Sequence, residues 1–394
     1  MHNLQFKEYE LEDVVLNMKD GVKTKQNKSF NGDKIVRIES LSNRGINTSR
    51  VGYANLTDKQ KKLYQLKKND IVFSYLNSIK KLGTTGIVSN ETELFLGANL
   101  FLIRPNDKVD YNYLNYFLEH LKDSGYWNKK AKHSLNYSRV NQSDIKKVKI
   151  PIPSLKVQND IVENLNLSTK TIREQIKNLQ IKTLYLENLK HSLIASEFSQ
   201  FENNKKYEMN QFAEIYTGIT YRKEDISNTG VPILSPKNIK DYKLDISKLI
   251  KINKPIPKKY ILENNDILMK NRSGSLKTLG ETTIISDVDS DISFGNFLTI
   301  FKTEYFEYLN YYFLTPDFRK MVNSGQSSSV SQITINSLKT KKIPMPSNTQ
   351  IKNLCSSLNE KVKAIDQLSK NNSKALALYQ NLYKTNLDKY FTNL

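Results

Sequence analysis

Two polar loops hold the residue types with the most chemical reach. Residues 74–82 read Ser-Tyr-Leu-Asn-Ser-Ile-Lys-Lys-Leu, and residues 270–279 read Lys-Asn-Arg-Ser-Gly-Ser-Leu-Lys-Thr-Leu. An arginine such as Arg272 offers a planar fork that fits the major-groove edge of guanine, and Asn77 or Asn271 can bond the matching edge of adenine. Lysines such as Lys80, Lys81 and Lys277 are point charges suited to phosphate. Two serine-rich stretches add donors: 133–139 (His-Ser-Leu-Asn-Tyr-Ser-Arg) and 324–332 (Ser-Gly-Gln-Ser-Ser-Ser-Val-Ser-Gln). The plain alternative for all four segments is a solvated loop.

The charge favours a polyanionic partner. Lys and Arg number 60 against 40 Asp and Glu, a net charge of +20. Counterion release from phosphates would supply affinity to such a surface. Only nine of the basic residues are arginine, and the chain is rich in Lys, Asn, Ile and Tyr, a bias that an A+T-rich genome also produces.

Catalytic chemistry is hard to find. None of the ten prolines adjoins another, which excludes the Pro-Pro-aromatic loop of amino-methyltransferases. The one cysteine, Cys355, follows Leu354, so the Pro-Cys nucleophile of cytosine C5-methyltransferases is missing. No Glu-x-Lys occurs, no phosphate-binding glycine loop of either common type is present, and Gly83-Thr84-Thr85-Gly86 reads as a turn. Cys355 on an apolar helix reads as a small core residue. One cysteine and four histidines leave no ligand set for structural zinc. The chain reads as a binder with no metal site, expected in the cytoplasm: a lone cysteine suits a reducing compartment, and Met1–Val15 lacks a signal-peptide core. No apolar run approaches the ~20 residues of a membrane span. Hydrophobic residues make up 38%, enough for real cores.

The elements that must position these loops come twice. Ile38–Asn43 matches Ile233–Asn238, Asn69-Asp70-Ile71 recurs as Asn265-Asp266-Ile267, and Tyr113-Leu114-Asn115-Tyr116 recurs as Tyr308-Leu309-Asn310-Tyr311. Lys149-Ile150-Pro151-Ile152-Pro153 recurs as Lys342-Ile343-Pro344-Met345-Pro346. The offsets are 195, 196, 195 and 193, close to half of 394. Within each half, short β-branched and aromatic runs (Ile71–Phe73, Gly86–Val88, Leu100–Ile103; Asp266–Met269, Thr282–Ile285, Phe297–Phe301) read as strands. Residues 110–123 and 305–321 read as helices.

A different pattern follows each Pro-x-Pro. Residues 155–198 contain neither Pro nor Gly, and Leu165, Ile172, Leu179, Leu186 and Leu193 fall seven apart. That is one coiled-coil seam position over five heptads, widened by Ile161, Ile176 and Leu189. In 349–391 the seam runs through Ile351, Leu358, Ile365, Asn372 and Tyr379, with Leu354, Leu368, Ala375 and Leu382 three residues on. The simplest burial is each helix against the other, with Asn372 as a register device. The expected fold class is therefore α+β: two similar α/β globules, two long antiparallel coiled-coil helices and an internal pseudo-twofold. Its segments are 1–153, 154–200, 201–346 and 347–394.

These residues carry a resemblance. The halves are similar to the two repeats of type I restriction–modification specificity subunits. The Asp-Ile strand turn, the Tyr-Leu-Asn-Tyr helix and the serine-rich stretch all match, and the elbows at 149–165 and 342–358 are the most specific element. Ser138, Val140 and Ile145 match Ser331, Ile333 and Leu338 at a constant offset of 193. One departure is that Gln158 lies five residues after Pro153, whereas Gln350 lies four after Pro346. That puts the start of the second helix in question by a residue.

The resemblance implies target recognition without catalysis. Each globule would be a target recognition domain reading one half of a bipartite, asymmetric double-stranded DNA sequence, and the helices would fix the gap. Two methyltransferase subunits would dock and carry the S-adenosylmethionine, this chain holding no cofactor; restriction subunits would join for cleavage. DNA contacts are then expected from Lys23, Lys25, Arg44, Arg50, Ser74, Tyr75, Asn77, Lys80, Lys81, His133, Tyr137 and Arg139 in the first half. In the second they are expected from Arg222, Lys237, Asn238, Lys270, Asn271, Arg272, Ser273, Lys277, Gln326, Ser328 and Gln332. The alternatives are a specificity module of another DNA-modification system and a non-catalytic RNA-binding adaptor. The 22 tyrosines fall largely at helix-like apolar spacing, which suits a core more than base-stacking platforms.

Overall fold

The computed structural model describes residues 6–392, apart from 28–30, 43, 90–92, 135–136, 277, 287–290 and 325–330. The chain forms two compact units, one of residues 1–182 with 372–394 and one of residues 183–371. These units differ from the four expected segments, because each takes a globule together with a stretch of both long helices. No helix among the described residues is long and apolar enough to cross a membrane.

In the first unit the apolar run Ile71–Ser74 is the middle of a six-stranded sheet. Its order is Val15–Asp20, Leu100–Pro105, Ile71–Ser74, Thr85–Ile87, Gly45–Ile46, Leu41–Ser42. Side chains alternate across a strand. Ile71, Phe73, Phe101 and Ile103 therefore enter one core, with helix Tyr111–Asp123, while Val72, Leu100 and Leu102 enter another on the opposite face. Burial on both faces explains why this strand lacks the polar alternation of a half-exposed one.

The second unit repeats that frame. Its sheet runs Glu214–Thr217, Leu298–Lys302, Ile267–Lys270, Thr282–Ile284. Ile267, Met269 and Phe301 face one core, and Leu268, Leu298 and Ile300 the other.

The repeated motifs turn out to be structural. Asn69 and Asn265 adopt left-handed φ of 69° and 74°. Asp70 and Asp266 then turn back to accept the backbone N–H of Lys67 (2.6 Å) and Glu263 (2.7 Å). Arg104 forks onto Asp70 with both contacts at 2.7 Å, and Lys302 reaches Asp266 at 2.9 Å. The tyrosine pair stitches each globule to its elbow and helix. Tyr113 and Tyr308 donate to the carbonyls of Pro151 and Pro344, while Tyr116 and Tyr311 donate to Asn166 and Asn359 at 2.7 Å. Burial holds the hydroxyls of Tyr113 and Tyr308 well above the usual range and pushes Tyr311 up to about 12. Each elbow strand also pairs with the first strand of its own globule, Lys149–Ile152 on Lys7–Glu10 and Lys342–Pro344 on Lys206–Glu208.

The long helices are Leu155–Ser199 and Asn348–Phe391, each on the order of 65 Å at 1.5 Å per residue. Their starts differ by 193 (348 − 155), the offset of the elbows, so the glutamines are not equivalent. Gln158 is buried and bonds Asp110 N, Lys108 O and Pro153 O, whereas Gln350 closes the first turn of its helix by accepting from Ser347 N and Oγ.

The pairing is antiparallel within each unit. In the first, Leu165 shares a core with Leu387 and Phe391, and Asn372 donates to the Leu179 carbonyl at 2.8 Å. In the second, Lys190 meets Asp366 at 3.0 Å and Lys361 meets Glu197 at 2.5 Å. The uniform helix-on-helix seam needs correction. Leu165, Ile351 and Leu358 insert into globule cores, Ile172, Leu186 and Ile365 are buried, and Leu179, Leu193 and Tyr379 are only half-buried. Leu189, Leu368 and Leu382 are exposed, at 40%, 48% and 46%. An α-helix drifts about 20° per heptad relative to a straight stripe, so one sequence position cannot keep facing one neighbour without supercoiling.

Candidate nucleic-acid interface

In each unit the loop that follows the central strand is tied to the serine-rich segment that precedes the elbow. The central strand and its successor close as a hairpin at matching places. Ser74 N and O pair with Thr84 O and Gly83 N, and Lys270 N and O pair with Glu281 O and Gly280 N. Gly83 and Gly280 sit at φ of 75° and 74°, a left-handed turn that favours glycine; a Cβ on Gly83 would lie 2.3 Å from the Trp127 ring. Beyond the hairpin, Leu76–Asn77 pairs antiparallel with Ser138–Arg139, which also pairs with Lys132–His133. Its counterpart is Arg272–Ser273 paired with Ser331–Gln332. Each unit thus assembles a short ribbon from two polar segments about 60 residues apart in sequence (139 − 76; 332 − 272).

On the first ribbon Arg139 is exposed, with its guanidinium 5.6 Å from the Tyr75 ring centre. Tyr75 is itself buried against Phe101, the ring centres 3.9 Å apart. His133 is exposed and bonds Ser138 Oγ (2.8 Å) and the Asn128 carbonyl (3.0 Å) through its two ring nitrogens. Asn77 is half-buried and accepts from Ser78 N at 2.7 Å. Tyr137 is exposed.

Lys80, Lys81 and Arg50 are exposed on the rim of a cleft of about 830 Å³ in the same unit. Lys122, Arg173 and Lys384 add cations to its lining and Glu119 and Asp123 add acids. Burial raises the Asp123 carboxyl above its ordinary value, with Lys122 acting the other way. Lys23 and Lys25 are exposed in the segment after Val15–Asp20.

On the second ribbon the Arg272 guanidinium lies 4.8 Å from the Phe297 ring centre, and Nη2 donates to Gln332 Oε1 at 2.6 Å. Phe297 is 41% exposed and Gln332 is exposed. Ser273 is half-buried and its Oγ is spent within the loop, on Thr278 Oγ1 (2.7 Å) and Ser275 N (3.2 Å). Lys237 and Arg222 are exposed elsewhere on this unit. Lys277, Gln326 and Ser328 lie outside the described residues.

Six of the expected contacts are instead structural. Lys270 is buried in an ion pair with Glu281 at 2.6 Å. Asn271 is buried and donates to the Asn296 carbonyl and Thr299 Oγ1. Asn238 is buried where it closes a turn, accepting from Ser235 N and donating to the Asp245 carbonyl. Ser74 is fully buried in the sheet, and Tyr75 is a ring platform more than a contact surface. Arg44 has φ of 65°; its guanidinium sits 3.3 Å from the Tyr116 ring centre and 3.4 Å from Glu119, and it donates to the Asn112 carbonyl. A cation with those partners is committed to holding the globule together.

Sequence reasoning missed four contributors. Phe297 looked like the first residue of a strand, yet it backs Arg272. Arg319 clamps the loop by donating to the carbonyls of Leu279 (2.6 Å) and Leu276 (2.9 Å). Lys122 and Lys384 lie on helices, outside the loops that the sequence marked. Phe297 lies 25 residues beyond Arg272, so nothing in the sequence marks the grouping (297 − 272).

Among the described residues no group of three His, Cys, Asp or Glu converges as a metal-ligand set. Cys355 is buried, and burial pushes its thiol up to about 12, which keeps it protonated and inert. The two α+β globules each carry a short polar ribbon with an arginine placed over an aromatic ring, and each packs on paired stretches of long helix. Residues 3–183 match the family model described as the type I restriction modification DNA specificity domain. The chain is 27% identical over 384 residues to the MjaX type I restriction enzyme specificity subunit of Methanocaldococcus jannaschii, covering 91% of this chain and 86% of that one. It is 22% identical over 199 residues to the EcoKI specificity subunit of Escherichia coli, covering 49% and 42%. A solved chain from a study of assembly and conformational transition of a type I R-M system shares the fold, with a TM-score of 0.57 at 15% identity, covering 99% and 98%.

Proposed function

We propose that this chain is the DNA-recognition subunit of a type I restriction–modification complex. It reads a bipartite, asymmetric duplex, one half with each globule, and delivers methyltransferase subunits to that target. The observation that carries the reading is the repeated ribbon, which presents an arginine-bearing polar surface on the same sheet position in two globules of one family. A repeated reader matches paired half-sites, and its differing side chains allow those half-sites to differ. The long helices set the spacing. Two methyltransferase subunits bind the repeated scaffold and hold S-adenosylmethionine, and restriction subunits complete the complex. This chain contributes no catalytic group and binds no cofactor.

The test is selection of random duplex DNA by the purified full-length chain, followed by a methyl-transfer assay with and without the methyltransferase partner. A split motif should be enriched, and methyl transfer should need the partner. Equal retention of all duplexes, a preference for single strands or RNA, or robust methyl transfer by the homogeneous chain alone would overturn the reading.

A further inference from the structure

The two ribbons match position for position, yet they carry arginine on opposite strands. In the first, Arg139 lies opposite Leu76 and Ser138 opposite Asn77. In the second, Gln332 lies opposite Arg272 and Ser331 opposite Ser273. The leading strands are offset by 196 (272 − 76) and the trailing strands by 193 (332 − 139), the same offsets as the flanking repeats. Arg139 therefore stands where the second unit has Gln332, and Arg272 stands where the first unit has Leu76.

Both arginines are prepared in the same manner. Each guanidinium is placed over a ring, Arg139 on Tyr75 and Arg272 on Phe297. Arg272 has a second restraint in Gln332, and its Nε is shut from solvent without a hydrogen-bond partner among the described residues. A planar cation already backed and pinned gives up little rotamer freedom when it meets a ligand. Its fork geometry suits two parallel hydrogen bonds, which a guanine edge accepts. Lys80 and Lys81, by contrast, are exposed on the loop that follows Leu76–Asn77.

We propose that this ribbon is the base-reading element of each globule, with Arg139 and Arg272 as specificity-determining residues that each address a guanine edge. Gln332 is the positioning residue for Arg272. The assignment rests on the reading of the chain as a duplex-DNA recogniser. Because the arginines rise from opposite strands of equivalent ribbons, the two halves of the target are read at non-equivalent base positions.

The experiment is the same duplex selection with the full-length chain, run for wild type, R272A, R272K, Q332A and R139A, with thermal melts as a folding check and affinity measured against salt. R272A and R272K should both flatten the preference at one guanine position in one half of the motif. Each should weaken the preferred duplex roughly tenfold or more, the range of a lost bidentate base contact. Q332A should blur the same position to a lesser degree with an unchanged salt slope, since it removes no charge. R139A should change one position in the other half only. If R272K keeps the wild-type preference, or R272A weakens all duplexes alike, Arg272 contacts phosphate and the inference fails. It also fails if R139A and R272A act on the same half, or if Q332A leaves the preference untouched. A wild-type chain that enriches a split motif while no variant alters it sinks the ribbon assignment alone. A wild-type chain that enriches nothing sinks the function reading and the ribbon with it.

Discussion

A single aspartate shows how much of the repeated sequence is spent on holding the globules together. Asp70 is 1% exposed and closes a left-handed turn at Asn69 while pairing bidentately with Arg104. Asp266 closes the matching turn with Lys302 2.9 Å away, a point charge in place of a planar fork, and burial raises its carboxyl above the ordinary value. Asp70→Ala would leave Arg104 in a half-buried site without its partner and remove the acceptor for Lys67 N. Losing one partner of a buried pair costs about 3–5 kcal/mol. Chemical denaturation should show a loss in that range for Asp70→Ala and a smaller one for Asp70→Asn, which keeps a turn acceptor. A loss below about 1 kcal/mol for the alanine variant would mean that the pair contributes nothing.

At the scale of elements, each long helix serves two purposes along one sequence. Its ends are core residues of globules, and its middle carries the helix pairing. Asn372 donates to Leu179, and those two residues are 193 apart, the elbow offset itself. Equivalent positions of the repeat thus meet each other in the first unit, and a polar residue there fixes which register is allowed. Inserting four residues between Leu165 and Leu193 adds about 6 Å of rise and displaces every later apolar residue, with no matching change in the other helix. The spacing between recognised half-sites should change, or the assembly should fail. Selected motifs with the wild-type gap and wild-type affinity would rule the helices out as the spacer.

For the whole molecule, the division into two readers is the testable claim. Replacing residues 1–148 by the matching region of a relative should change one half of the recognised sequence and leave the other as it was. The cut falls after the ribbon and before the elbow strand Lys149–Ile152, so the donor's counterpart of Lys7–Glu10 must pair with the host elbow strand. Methylation mapping of the assembled complex reads both halves at once. Changes in both halves would mean that the globules do not read independently.

The sequence by itself determined the repeat, the main strand runs, the first tyrosine helix, the elbow and the proline-free helices, whereas the single helix expected over 305–321 is two, Phe306–Tyr312 and Pro316–Ser324, the second starting at a proline. The elements it determined depend on local rules: side-chain alternation, heptad spacing, proline at an extended strand and turn residues at left-handed φ. The sequence also marked the two polar loops and two serine-rich stretches, because polar runs between apolar elements are visible in one dimension. It did not show that those segments pair into ribbons, since strand pairing across 60 residues leaves no periodic trace. Nor did it distinguish Arg272 from Lys270 two residues earlier. One is held at the surface by Phe297 and Gln332, and the other is buried by Glu281. Arg44 and Asn238 misled for the same reason: a polar side chain reads as a binding group until its partners are known. Only the tertiary structure decided which charges were neutralised inside, because a buried polar group is tolerable only where distant parts of the chain supply its hydrogen bonds.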